Sequence, residues 1–281
     1  MFHRKLAALA LAGAMVGALV GAAPAQAGGR HRPAPLPNAH AHNDYLHERP
    51  LYDALSHGFT SVEADIFLVD GELLVAHSPE ELVPGRTLQK LYLDPLARIV
   101  KANKGKVFRG SKQQLQLLVD IKYDGVNAYT ELDRVLRKYR KMLTTYAHGE
   151  VKQDAITVVI SGDRPRDLMA SQEVRYAFYD GRGPDLGTGV PASFMPLLSE
   201  NWTGVFTWQG VGEMPAGERQ FLHQAVAIAH ASGQRVRFWA TPDAPGPARE
   251  AVWHELLAAG VDHINTDDLA GLEKFLRSQP R

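Results

Sequence analysis

HAHNDYLHERPLYDALSHGFTSVEADIFLVDGELLVAHS, residues 40–78, is the stretch on which the reading of this chain turns. Its two ends have the β-rich pattern of strands, Asn38–His42 (which begins just ahead of it) and Ser61–Phe67. Between them Pro50–His57 reads as a short helix, closed by Gly58 where a left-handed cap suits glycine. Beyond the second strand, Glu63–Leu68 and Glu72–His77 alternate around Val69-Asp70-Gly71. Asp-Gly between alternating segments is a strong hairpin signal. The second strand is therefore expected to run past the sheet and fold back, hanging His77 over the face that Glu63 and Asp65 reach.

The same strand-then-helix rhythm continues to the C-terminus. Further strands are expected at Leu115–Lys122, Ala155–Ser161, Arg175–Tyr179, Gly204–Trp208, Arg235–Ala240 and His263–Thr266. Helical patterns cover Leu88–Asn103, Ala128–Ala147, Arg166–Glu173, Ala216–Ser232, Ala248–Ala259 and Leu269–Ser278, and Gly233 and Gly260 follow two of them. The connection Pro184–Asn201 is rich in Gly and Pro and poorly helical. Eight strands spaced by about 32 residues match the repeat of a βα module, so the expected fold is a single (β/α)8 TIM barrel with a β-hairpin extension after strand 2. A doubly wound open sheet is the alternative, but no G-x-G-x-x-G follows the first strand. No internal repeat, second domain or linker after Pro37 is visible.

The chain has 281 residues, no cysteine, and 31 basic against 31 acidic side chains. Met1–Lys5 is basic, Leu6–Ala23 is uncharged and rich in small apolar residues, and Ala25-Gln26-Ala27 fits a cleavage site. This layout predicts a secretory signal peptide over residues 1–27, cleaved after Ala27, and a secreted protein. The alternative is an uncleaved anchor. Residues 28–37 read as a disordered lead-in and 38–281 as the barrel domain. After the leader, 29 bases face 31 acids, a formal charge of −2, too near neutral for a nucleic-acid partner. Zero cysteine excludes thiol catalysis and Cys-ligated metals.

Side chains two apart on a strand share a face. By that rule the strand ends present His40/His42, Glu63/Asp65, Asp120/Lys122, Trp239/Thr241 and Asn265/Asp267 toward one rim, the rim that carries activity in such barrels. Glu63 and Asp65 repel each other unless a cation lies between them. Together with Asp120 they form a hard oxygen set suited to one divalent cation, Mg²⁺ or Ca²⁺. Lys122 adds a positive charge, and metal plus lysine suits an anion, foremost a phosphodiester. Histidine suits acid–base work near neutral pH. Alternation leaves open whether His40 or His42 serves in the first strand. Asp267 and Asn265 either support the site or cap the last helix.

Residues 40–78 resemble the opening of the glycerophosphodiester phosphodiesterase superfamily, a His motif followed by E-x-D and a second His. HNDY, SVEAD, ISGDRP, RFWATPD and INTDDL are more closely similar to the altered inheritance of mitochondria protein 6 branch, over nearly the whole chain after the leader. The sphingomyelinase D-type toxins look related as well, although the Cys pair that braces their loop is absent here. The resemblance implies that His42 and His77 are the catalytic pair, with His40 behind them. It makes Glu63, Asp65 and Asp120 metal ligands, Lys122 a phosphate contact, and Trp239 a wall of the substrate pocket. Asn43 stands where the wider superfamily has the phosphate-binding Arg of its His-Arg-Gly motif, and Asp120 where it has Glu.

The expected activity is that of a phosphoric diester hydrolase acting on a phosphodiester small molecule or a phospholipid head group. The partner is that substrate, with at most transient membrane-surface contact and a monomeric chain. Two other readings remain. His40-Ala41-His42 also fits binuclear metal hydrolases of the amidohydrolase type, but the middle strands offer no further His or Lys ligands. A non-catalytic lipid- or phosphate-binding barrel would keep the fold without turnover.

Overall fold

Eight parallel strands close on themselves in the computed structural model, which describes residues 34–280. They are β1 (Leu36–Ala41), β2 (Phe59–Val69), β3 (Leu115–Ile121), β4 (Ile156–Gly162), β5 (Ala177–Gly181), β6 (Leu197–Asn201), β7 (Arg235–Trp239) and β8 (His263–Thr266). Each pairs with its successor, and β1 pairs with both β2 and β8, completing the barrel. Around it lie α1 (Tyr52–Ser56), α2 (Asp94–Ala102), α3 (Gly125–Leu136), α4 (Arg166–Ser171), α5 (Trp202–Val205), α6 (Ala216–Ala231), α7 (Pro247–Ala259) and α8 (Leu269–Ser278). The fold is the expected TIM barrel. The expected leader and most of the lead-in lie outside the described residues. The part of the lead-in that is described differs from expectation: β1 starts at Leu36, whose N–H donates to the Gly58 carbonyl at 2.7 Å.

The hairpin after β2 is present. Val69 pairs with Glu72 across Asp70 and Gly71, both at positive φ (49° and 79°), and Glu72–Val75 returns antiparallel along β2. Primed turns of this kind match the twist of the two strands they join.

Three elements differ from the sequence reading. The sixth strand is Leu197–Asn201, not Gly204–Trp208. Asn201 caps α5 by accepting from the Thr203 N–H at 3.0 Å, so the chain turns at once. The aromatic residues taken for a strand pack instead: Trp202 lies 4.1 Å from Phe206 and 5.5 Å from Phe238 between ring centroids, and its indole N–H donates to the Trp208 carbonyl. The long helix expected over Ala128–Ala147 ends at Leu136, with one further turn at Arg137–Tyr139. Thr145–Ala147 then turns back as a hairpin with Glu150–Lys152, and Val174–Arg175 joins as a third strand of this small sheet. Arg175 therefore belongs outside the barrel, and β5 begins at Ala177 and extends to Gly181.

Outward-facing strand residues such as Val62, Ala64, Ile66, Leu117, Val119, Val158 and Ile160 are buried beneath the helices. Each large side chain so buried contributes roughly 1.5–3 kcal/mol relative to exposure. The barrel interior has two unlike sides. On β3 to β6, Leu118, Val159, Phe178 and Leu197 form a small apolar cluster. On β1, β2, β7 and β8 the inner positions are His40, Ser61, Glu63, Arg237, His263 and Asn265, all buried.

Candidate active site

The site is assembled from strand ends in a fixed order around the rim. Asp65 and Asp120 are register partners on β2 and β3, and Asp120 is in turn opposite Ser161 on β4. Gly162, at φ +68°, makes room: a Cβ there would fall 2.4 Å from Asp120 Oδ1. The hairpin brings the Ala76 N–H to the Asp65 carbonyl and sets the next residue, His77, above Asp65. His77 Nδ1 lies 3.0 Å from Asp65 Oδ2, which also accepts from Lys122 Nζ at 2.8 Å and from the Tyr45 hydroxyl at 2.8 Å. Tyr45 lies 3.0 Å from Asn43 Oδ1 as well, so its single proton serves one acceptor at a time. Asn43, in the left-handed conformation at φ 45°, thus supports this cluster through Tyr45.

One carboxylate oxygen in the cluster is left over. Asp65 is fully buried and its Oδ1 has no hydrogen-bond partner among the described residues. Burial without a partner is costly for a carboxylate oxygen. Ligand atoms of Glu63, Asp65 and Asp120 all lie within 4.8 Å of one another. Three carboxylates with a free buried oxygen fit a hard divalent cation. Burial, then the neighbouring Asp65, pushes the Asp120 carboxyl up to about 6. Lys122 also reaches Asp120 Oδ1, at 3.4 Å. Burial opposes its charge, but the two aspartates outweigh that and raise its pKa.

Glu63 is held from inside the barrel. Its Oε2 accepts from Arg237 at 2.5 Å and from His40 Nε2 at 3.0 Å. Burial opposes ionisation of Glu63, yet Arg237 and the His40 bond hold its carboxyl well below the usual range. Arg237 also donates to Asn265 Oδ1 through Nε (3.0 Å) and Nη2 (2.7 Å). His40 is fully buried, and burial followed by Arg237 lowers it to about 4, so it is neutral. With Nε2–H donating to Glu63, His40 Nδ1 accepts from Ser61, 2.7 Å away.

His42 differs from His40 in every respect that matters for proton transfer. It is partly exposed, and its Nδ1 lies 2.8 Å from Asp267 Oδ1, which leaves Nε2 free. Burial works against its charge, but the Asp267 hydrogen bond and the Glu63 field raise its pKa overall. Asp267 therefore orients His42, while the neighbouring Asp268 caps α8 by accepting from the Gly271 N–H at 2.9 Å. Trp239, at the end of β7, is half-buried on the rim. No hydrogen bond or ring contact ties it to the cluster among the described residues.

Several residues at this rim were missed by sequence reasoning. Tyr45 and Arg237 are two of them, and Asp180 with Arg182 on and after β5 are two more. Asp180 is buried and accepts from Ser161 (2.8 Å) and Arg182 (2.7 Å), and Arg182 also donates to Ser161 at 2.9 Å. The two-residue alternation would have flagged Arg237 beside Trp239, and Asp180 beside Arg182 once β5 was given its correct end.

Comparison with known proteins gives the family and agrees with the fold. Residues 34–180 match the AIM6-like phosphodiesterase domain, and residues 235–270 match the glycerophosphoryl diester phosphodiesterase family. The altered inheritance of mitochondria protein 6 homolog of Arthroderma benhamiae is 32% identical over 259 residues, covering 84% of this chain and 82% of that protein. Altered inheritance of mitochondria protein 6 of Eremothecium gossypii is 31% identical, covering 85% and 69%. The crystal structure of a glycerophosphoryl diester phosphodiesterase from Parabacteroides distasonis shares the fold, with a TM-score of 0.51 at 11% identity over 87% of each chain. The match to these relatives thus runs over most of the chain, and this chain belongs to the AIM6-like phosphodiesterase family.

Proposed function

We propose that this chain is a metal-dependent phosphodiesterase, exported from the cell, that cleaves glycerophosphodiesters or the head groups of (lyso)phospholipids. The observation that carries the reading is the meeting of His42 and His77 with three carboxylates and Lys122 at one rim. A divalent cation, Mg²⁺ or Ca²⁺, held by Glu63, Asp65 and Asp120 would supply the positive charge that draws electrons from phosphorus. Lys122 takes a non-bridging phosphate oxygen. His42, oriented by Asp267, and His77, oriented by Asp65, each keep Nε2 free for the reacting groups. One removes the proton from the nucleophile, which is water or a neighbouring substrate hydroxyl that yields a cyclic phosphate. A new P–O bond forms as the bond to the leaving alkoxide breaks, and the other histidine protonates that alkoxide.

Export rests on the basic, apolar and A-x-A pattern of residues 1–27. The described residues hold no helix long and apolar enough to cross a membrane. Leu46, Tyr123 and Val211, on loops that leave the rim strands, are exposed, which supports brief contact with a lipid surface; on the same reading the chain is a monomer. The test is turnover of bis-p-nitrophenyl phosphate, glycerophosphocholine, lysophosphatidylcholine and sphingomyelin with added Mg²⁺ or Ca²⁺. Metal-dependent cleavage of at least one is expected, with loss on chelation. Binding of these compounds without product release would replace this reading with that of a non-catalytic barrel.

A further inference from the structure

A polar cavity of about 530 Å³ lies at the N-terminal ends of the strands, the mouth opposite the acid cluster. Its walls include Asn38, Thr60, Gln116, Arg235 and His263 from the first residues of five strands, with Lys112 from the loop before β3. Arg235 sets this cavity apart. Among the described residues it has no carboxylate within 4.0 Å, and its guanidinium donates only to His263 Nε2, at 3.2 Å. A guanidinium withdrawn from water is costly without a counter-charge.

The one carboxylate whose field reaches Arg235, Asp262, does not contact it and turns an oxygen elsewhere. Asp262 is also on the wall, but its Oδ2 accepts from the Val236 N–H and from His230 Nε2, both at 2.8 Å. Thr60 spends its hydroxyl on the Leu36 and Pro37 carbonyls, and Asn38 its amide on Val261 and Asp262 carbonyls. Two buried atoms on wall residues stay unpaired. His263 Nδ1 carries the proton when Nε2 accepts from Arg235, and it has no acceptor. Gln116 Oε1 has no donor, although its Nε2 is used on Ser61 at 2.9 Å.

The geometry points to a second binding site here, for a phosphate-type oxyanion held by Arg235 and Lys112. A planar guanidinium matches two oxygens of such an anion, and lysine contributes a point charge. Hydrogen phosphate can take both N–H groups of the Arg235 fork and still offer a further oxygen to the Lys112 ammonium. A carboxylate has two oxygens only, both spent on the fork.

The site is independent of the phosphodiesterase reading and is tested by binding rather than turnover. Inorganic phosphate is titrated calorimetrically into chelator-treated protein at constant ionic strength, with malonate as a second arm. A Lys122→Met background removes the main cation of the opposite rim. One phosphate is expected to bind with Lys122→Met as with the unaltered chain, and malonate to bind more weakly. Arg235→Gln should weaken phosphate at least tenfold while leaving bis-p-nitrophenyl phosphate turnover unchanged. Lys112→Ala, an exposed loop position, should weaken it about threefold and serves if Arg235→Gln does not fold. Phosphate binding that disappears with Lys122→Met, survives both Arg235→Gln and Lys112→Ala, or is absent from the unaltered chain overturns the proposal.

Discussion

The two arginines of β7 sit two residues apart on the same face and live in opposite circumstances. Arg237, facing the acid rim, is buried and fixed by Glu63 and Asn265. Arg235, at the other mouth, is half-buried and rests on a neutral histidine. The same contrast extends through the barrel: its C-terminal mouth concentrates carboxylates, and its N-terminal mouth carries a cation that no carboxylate contacts among the described residues. Within one strand, then, residue type does not decide role. What decides it is which ionised group the neighbouring strands bring opposite, and for Arg237 that group is on β2.

The contrast can be broken at several points. The largest effect is expected at the acid rim. His42→Ala or His77→Ala should lower kcat by about 10²–10⁴ with the fold retained. Near-full activity in either folded variant would remove that histidine from the chemistry. Next in size, Arg237→Met strands a buried carboxylate and should cost about 3–5 kcal/mol of stability. Arg235→Met strands no carboxylate and should stay within about 1 kcal/mol of the unaltered chain. Urea unfolding that shows equal losses for the two would erase the distinction between the mouths.

On the apolar side of the interior, Leu118→Ala should cost about 2–5 kcal/mol by loss of contact and the cavity left behind. A smaller loss would mean that the apolar cluster closes around the gap.

A further expectation is a pH dependence in the loop after β1. Asp44 is buried, and its Oδ2 accepts from the Leu51 N–H (2.6 Å) and the Tyr92 hydroxyl (2.9 Å). Burial raises its carboxyl from 3.8 to about 7. The folded chain therefore holds this proton more tightly than the unfolded chain. The stabilisation is full below pH 3.8 and is lost as pH rises through about 7. Asp44→Asn should flatten the decline of Tm across that window; an unchanged slope would assign the decline to other groups.

How much of this was legible beforehand follows from the physics of each signal. Alternation in SVEADIFLV and the Asp-Gly turn located β2, the hairpin and His77, because strand period and turn chemistry are local. Fold class followed from the repeated module. The sixth strand was not legible. Leu197–Asn201 follows a Gly- and Pro-rich stretch, and the Trp202–Trp208 aromatics mimic a strand although they serve tertiary packing. Choosing His42 over His40 was beyond alternation, since both face inward. The difference lies in partners from β2, β7 and β8 that no local pattern reveals. Arg237 escaped for the same reason: its value depends on Glu63, 174 residues away in sequence.

The hairpin after β2 divides the proposed acid–base pair between two kinds of scaffold. His42 directly follows a strand bonded on both sides, and its own N–H donates to the Thr266 carbonyl at 3.0 Å, so displacing it disturbs the barrel wall. His77 hangs from a ribbon whose return strand pairs with one barrel strand and, at its other edge, only with Arg86 and Thr87 of the following loop. Peeling that ribbon is a local event, cheaper than global unfolding and visible as faster amide exchange over Glu72–Val75 than over β1. On the reading proposed above, such an opening would withdraw one proton-transfer partner while the carboxylates, Lys122 and His42 stay in place. A single turn, Asp70-Gly71, would then set how often the proposed pair is complete.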